Sequence, residues 1–218
     1  MACLDIGTGD IQYAPRCDFV SAQIGSGDQI PRWQPGIELT YVVCDETFPT
    51  LEDAAFTSRQ LTTAMGMWNN AGVTFRLVER NSLANFRVVY RNSPLDGRME
   101  TLASSFLPNN SAADKRTLYV YALAFTNAHL NNQAYFLAHE VGHILGLRHE
   151  FSMEREQCLW STTFGSRNSS GIMAYYADSS HWRVTPQDLK EMEAFYNPSF
   201  TGQDGRKVMN YTPERVIY

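Results

Sequence analysis

The sequence predicts an α/β fold, with a sheet and covering helices in the N-terminal part and a mainly helical and irregular C-terminal part. Three features predict it. Alternating apolar stretches surround an amphipathic helical stretch between residues 37 and 124, an apolar helix ends near residue 145, and a capped helix opens at Thr185. With 218 residues, 44% hydrophobic and 12% aromatic, the chain can fill one substantial core or a body divided by a cleft.

Residues 1–32 hold Gly7, Gly9, Pro15, Gly25, Gly27 and Pro31 without a regular apolar pattern, which reads as an extended arm. The body opens at Trp33. Ile37, Leu39, Tyr41 and Val43 then alternate as a first strand. Thr50 with Asp53 three residues on is a capping signal for a helix that places Ala54, Leu61, Met65 and Trp68 on its apolar side and ends near Gly72. Further strands are expected at 73–78, 86–90 and 117–124, with a shorter candidate at 101–106 bounded by Pro108-Asn109-Asn110. The next helix carries Ala134-Tyr135-Phe136-Leu137-Ala138 and continues through Val141, Ile144 and Leu145. Residues 161–171 have loop composition. Thr185-Pro186-Gln187-Asp188 then supplies an N-cap, a proline at the first helical position and an acidic third residue, with Leu189, Met192 and Phe195 as the apolar face. The expected organisation is an arm at 1–32, a body at 33–197 and a C-terminal tail at 198–218.

A net charge of −5 without a Lys/Arg run excludes the electrostatic footprint of a nucleic-acid or anionic-membrane binder. No stretch reaches the roughly 18 apolar residues of a membrane span. Met1 to Asp10 has neither a basic nor an apolar signal region, so the expectation is secretion if a precursor segment was removed, and otherwise a cytoplasmic or unconventionally exported protein. Cys3, Cys17, Cys44 and Cys158 allow three pairings; Cys44 and Cys158 could be bridged or could be two buried thiols.

The chemistry concentrates in His139-Glu140-Val141-Gly142-His143-Ile144-Leu145-Gly146-Leu147-Arg148-His149-Glu150, an HExxHxxGxxHE sequence. Histidines four apart lie one above the other on a helix, so His139 and His143 can aim at one zinc ion. Gly146 can take the left-handed conformation that ends a helix, which lets His149 approach as third ligand. Three imidazoles leave a fourth position open for an activated water, and Glu140 stands beside the first ligand to take its proton. Three separate core histidines would each need their own partner, which makes that simpler reading a poor account of the spacing.

HExxHxxGxxH followed by Gly171-Ile172-Met173-Ala174-Tyr175 resembles the metzincin metallopeptidases. Glu150 after the third histidine and Tyr175 two positions after the methionine look most like the astacin-like branch. The resemblance implies a metzincin-like catalytic domain over 33–197: a twisted mixed sheet with helices in the N-terminal subdomain, a mainly helical or irregular C-terminal one, and the active-site cleft between them. It implies a zinc endopeptidase with one catalytic ion, acting on a protein or peptide substrate, and leaves the oligomeric state open. By resemblance, Met173 forms an apolar floor beneath the imidazoles and Tyr175 hydrogen-bonds the oxyanion, while 101–106 becomes an edge strand that pairs with substrate. Residues 1–32 become a candidate prosegment, with Cys17 in Pro15-Arg16-Cys17-Asp18 or Asp28 in Gly25-Ser26-Gly27-Asp28 as the latency ligand. The rival expectation is a zinc-bearing interaction or toxin-like protein with incidental proteolysis.

Overall fold

The computed structural model describes residues 23–26, 28–69, 71–95, 97, 99–149, 161–165, 170–174 and 182–218. Cys3, Cys17, Glu150, Cys158, Tyr175 and Tyr176 lie outside that set. In chain order, β1 (Gln23–Ile24), β2 (Gln29–Trp33) and β3 (Glu38–Val43) precede α1 (Leu51–Met67). β4 (Thr74–Leu77), β5 (Leu83–Ala84), β6 (Phe86–Arg91), β7 (Ala103–Ser104) and β8 (Thr117–Tyr121) follow, and then α2 (Gln133–Ile144). The remainder holds β9 (Thr162–Thr163), α3 (Pro186–Tyr196), β10 (Gly202–Gln203), β11 (Arg206–Tyr211) and β12 (Val216–Ile217).

The main sheet is mixed, in the order β4-β3-β6-β8-β7. Its first four strands are parallel and β7 runs antiparallel along one edge. Parallel neighbours need a crossover, and α1 supplies it between β3 and β4. Leu39 and Tyr41 of β3 enter the main core, whereas Val42 enters a smaller cluster with Cys44 and Ala84, against which Tyr218 packs. Successive side chains point to opposite faces of a strand, so β3 is buried on both sides and departs from a simple apolar-polar alternation. Cys44 is a buried free thiol whose pKa is pushed up by desolvation.

Both capping signals operate. The Thr50 hydroxyl accepts from the Asp53 backbone N–H at 3.0 Å and donates to its carboxylate at 2.7 Å. At α3 the full reciprocal box forms, with Asp188 N–H on the Thr185 hydroxyl at 3.2 Å and Thr185 N–H on the Asp188 carboxylate at 2.7 Å.

Two of the expected strands are shorter than the sequence suggests. The strand expected at 117–124 stops at Tyr121, where Ala122–Phe125 turns into a 3-10 helix, and of 101–106 only Ala103 and Ser104 are strand, with the Leu102 carbonyl accepting the Tyr121 N–H at 2.9 Å beside them. The flanks are not free either. β2 pairs in parallel with β11, from Gln29 against Lys207 to Trp33 against Tyr211, while β1 pairs with β9 and β12 with β5. Ile24, Ile30, Arg32 and Trp33 are buried, and the Arg32 guanidinium donates to Asn210 Oδ1 and to the Phe195 and Asn197 carbonyls. Residues 23–32 and 202–217 therefore belong to the folded body, because each short segment obtains its backbone partners from the other or from the core. Among the described residues no helix is long and apolar enough to cross a membrane.

Candidate metal centre

α2 is buried at every position except Tyr135. Such a helix must be packed on all sides. Trp68, just past α1, donates its indole N–H to the Ala138 carbonyl at 2.8 Å. A Cβ at Gly142 would stand 2.5 Å from the Met173 sulfur and 3.1 Å from the Trp68 ring. Gly142, one of the unspecified positions of the zinc motif, thus leaves the space through which Met173 and Trp68 reach the helix backbone.

The helix ends as the sequence predicts. Gly146 takes φ +107, Gly146 N–H bonds the His143 carbonyl at 2.9 Å, and Leu147 N–H bonds the Gly142 carbonyl at 2.9 Å. This pair of bonds is the Schellman arrangement, and it reverses the chain toward His149.

His139, His143 and His149 form a buried cluster whose ligand atoms all lie within 4.8 Å of one another. His139 Nδ1 lies 2.8 Å from the Ile172 carbonyl and His143 Nδ1 lies 2.8 Å from the Leu147 carbonyl. A carbonyl oxygen only accepts, so in each ring Nδ1 carries the proton and a neutral imidazole keeps its lone pair on Nε2. Those two Nε2 atoms lie 3.0 and 3.1 Å from Nε2 of His149. Zinc–nitrogen bonds of about 2.0–2.1 Å in a tetrahedral site separate ligand atoms by roughly 3.3 Å. The donor set therefore fits zinc in residue type and spacing, and in tautomer at His139 and His143, since nitrogens gathered this closely are stabilised by a cation between them.

Glu140 is buried next to His139, and its backbone carbonyl accepts the Ser105 hydroxyl at 2.9 Å, which fastens α2 to the segment just after β7. Arg148 is buried beside His149 and donates Nε–H to the Gly25 carbonyl at 2.5 Å. Met173 is buried. Asp28 is exposed at a tight turn, where Ser26 and Gln29 exchange backbone bonds of 2.8 and 3.3 Å. Tyr175 and Cys17 lie outside the described residues.

The matrixin family profile matches residues 32–197. The chain belongs to the matrixin family. Glu150 and Tyr175 had pointed instead to the astacin-like branch. Two solved structures of myroilysin share this matrixin's fold. One is 15% identical with a TM-score of 0.55, covering 81% of this chain and 99% of that one. The other is 16% identical with a TM-score of 0.54, covering 86% and 97%. No curated protein matches the chain. A matrixin with a three-histidine cluster able to hold zinc is a zinc metalloendopeptidase, a hydrolase of proteins or peptides.

Sequence reading missed several residues around this matrixin centre. Ser105 and Arg148 make their contacts with backbone carbonyls 35 and 123 positions away. Nothing local marks them. Gly142 offered a signal, because glycine in a helix interior costs about 1 kcal/mol relative to alanine and a close approach can account for it.

Proposed function

We propose that this matrixin cleaves peptide bonds at a single zinc ion held by His139, His143 and His149, with Glu140 as general base. The observation that carries the reading is the meeting of three imidazole Nε2 atoms, two of them oriented by backbone carbonyls, beside a buried carboxylate residue. When bound, zinc supplies Lewis acidity to the scissile carbonyl. Glu140 takes a proton from the attacking water and passes it to the departing amine. A structural zinc site closes all four positions with protein ligands, whereas three ligands and an adjacent carboxylate suit hydrolysis better than a binding module.

The finer assignments follow from the same centre. Tyr175 donates to the developing oxyanion, and Met173 packs beneath the imidazoles; the tyrosine and Glu150 are the features that favour astacin-like relatives. Extended substrate adds to β7, which pairs with β8 on one side, and Ser105 holds that edge at a constant distance from Glu140. Residues 1–22 lead into β1, which is fastened by its pairing with β9 and, one residue on, by the bond from Arg148 to the Gly25 carbonyl. That attachment supports a latent form in which Cys17 is the zinc ligand, because Asp28 is turned to solvent.

Incubation with denatured casein tests the core of the proposal. Cleavage should disappear with a zinc chelator and return when zinc is added back. No cleavage by the full chain or by a form beginning at Gln23, each loaded with zinc, would leave the binding-module reading in its place.

A further inference from the structure

The turn that delivers His149 is gripped from outside by one residue of β2 and one of α3. A helix leaves its last four carbonyls without intrahelical partners. In α2 those belong to Gly142, His143, Ile144 and Leu145. The first two are satisfied by Leu147 and Gly146 N–H within the turn itself. The Ile144 carbonyl accepts the Trp33 indole N–H at 2.6 Å, and the Leu145 carbonyl accepts the Tyr196 hydroxyl at 2.9 Å. Trp33 ends β2, and Tyr196 is the last residue of α3.

Tyr196 has a seat made for it. A Cβ at Gly72 would overlap the Tyr196 ring, and Gly72 holds φ +81, so this glycine both turns the chain and leaves the ring its space. The Arg32 guanidinium lies 6.0 Å from the ring centroid. Burial pushes the phenol pKa far up, with the Trp33 backbone and the Arg32 charge opposing it, so at neutral pH the hydroxyl keeps its proton and donates. Phe195, its neighbour on α3, sets its ring 3.1 Å from where a Cβ on Gly146 would be, as does the Pro31 carbonyl. The α3 end and the β2 segment therefore enclose the turn between the second and third histidines.

We propose that Tyr196 is a positioning residue for the metal centre: its bond to the Leu145 carbonyl sets the course of residues 145–149 and so the approach of His149 to the ion. This rests on the zinc reading above. Neither Tyr196 nor Leu145 is a ligand. Outer-shell partners of metal ligands are worth 10–100-fold in affinity. One step further out, Tyr196→Phe should weaken zinc binding by about the lower end of that range, roughly tenfold.

The control is Tyr218→Phe. It removes a similar hydroxyl, one that donates to the Asn85 and Ala113 carbonyls at 3.1 and 2.9 Å, from the far face of the sheet. Zinc Kd is measured on the full chain by competition with a chromophoric chelator, alongside melting of the metal-free protein and the visible spectrum of the cobalt-substituted form. The expected result is a metal-free form of Tyr196→Phe that still melts cooperatively, a raised zinc Kd and a changed cobalt spectrum. Tyr218→Phe should lower melting while leaving Kd and spectrum unchanged. A zinc Kd for Tyr196→Phe within twofold of wild type, or one raised no more than in Tyr218→Phe, overturns the proposal. Loss of cooperative melting in Tyr196→Phe assigns the hydroxyl to folding and overturns it as well. If the wild-type chain binds no zinc, the functional reading falls first and this one with it.

Discussion

Replacing Gly72 by alanine should be among the most damaging small changes in the protein, and a matched substitution separates its causes. Gly36 and Gly72 have nearly the same backbone, φ +80 and φ +81, but a Cβ at Gly36 meets nothing within 4 Å whereas one at Gly72 overlaps the buried Tyr196 ring. Gly36→Ala should therefore show the left-handed backbone cost alone, about 1–2 kcal/mol. At Gly72 the same cost is joined by displacement of the ring. Losing the burial of a large side chain costs about 1.5–3 kcal/mol, and leaving the Leu145 carbonyl without its donor about 1–3 more. The expected loss for Gly72→Ala is at least about 3 kcal/mol, a large part of the 5–15 kcal/mol that holds a typical domain folded. A change of 1 kcal/mol moves the melting temperature of a chain this size by about 2–4 °C. Melting followed by circular dichroism on the metal-free protein should thus fall by at least roughly 6 °C for Gly72→Ala and by less for Gly36→Ala. Equal shifts for the two variants would refute the argument, because only the Tyr196 seat distinguishes them.

Glu140→Ala should retain zinc, measured by metal analysis, and lose at least about 100-fold in kcat, whereas His143→Ala should lose the metal; a Glu140 variant keeping more than about a tenth of wild-type kcat rules out the general-base role. Tyr175→Phe should lower kcat with little change in KM, and Tyr176→Phe should be mild; equal effects at both positions would place the oxyanion donor elsewhere. For latency, the full chain, its Cys17→Ala variant, its Asp28→Ala variant and a form beginning at Gln23 are compared on one peptide. The Cys17 variant and the shortened form should be the active ones. Equal activity of full and shortened forms defeats latency, and release by Asp28→Ala alone defeats the choice of ligand. The shortened form starts at Gln23 because β1 and β2 are built into the body and must be kept.

What could be read in the sequence is what helix and turn geometry decide over a few residues. His139 and His143 converge because four residues are close to one helical turn, and Gly146 reverses the chain because it alone tolerates φ +107 without a Cβ penalty. The caps at Thr50 and Thr185 are equally local, with donor and acceptor three residues apart. Tertiary structure decided what depends on partners far along the chain. β2 becomes a strand by pairing with β11, so that Gln29–Trp33 at the end of the expected arm and Lys207–Tyr211 in the expected tail form one ladder. Periodicity shows that a segment can pair but not which segment it meets, so 101–106 could be read as a strand from its own residues and its edge position only through the family resemblance. The shell that holds the metal turn was just as hidden. Trp33 and Tyr196 reach carbonyls 111 and 51 positions away. Their residue types announce only that a large side chain with one polar atom is buried somewhere, and the carbonyl that polar atom finds is set by how β2 and α3 pack around α2.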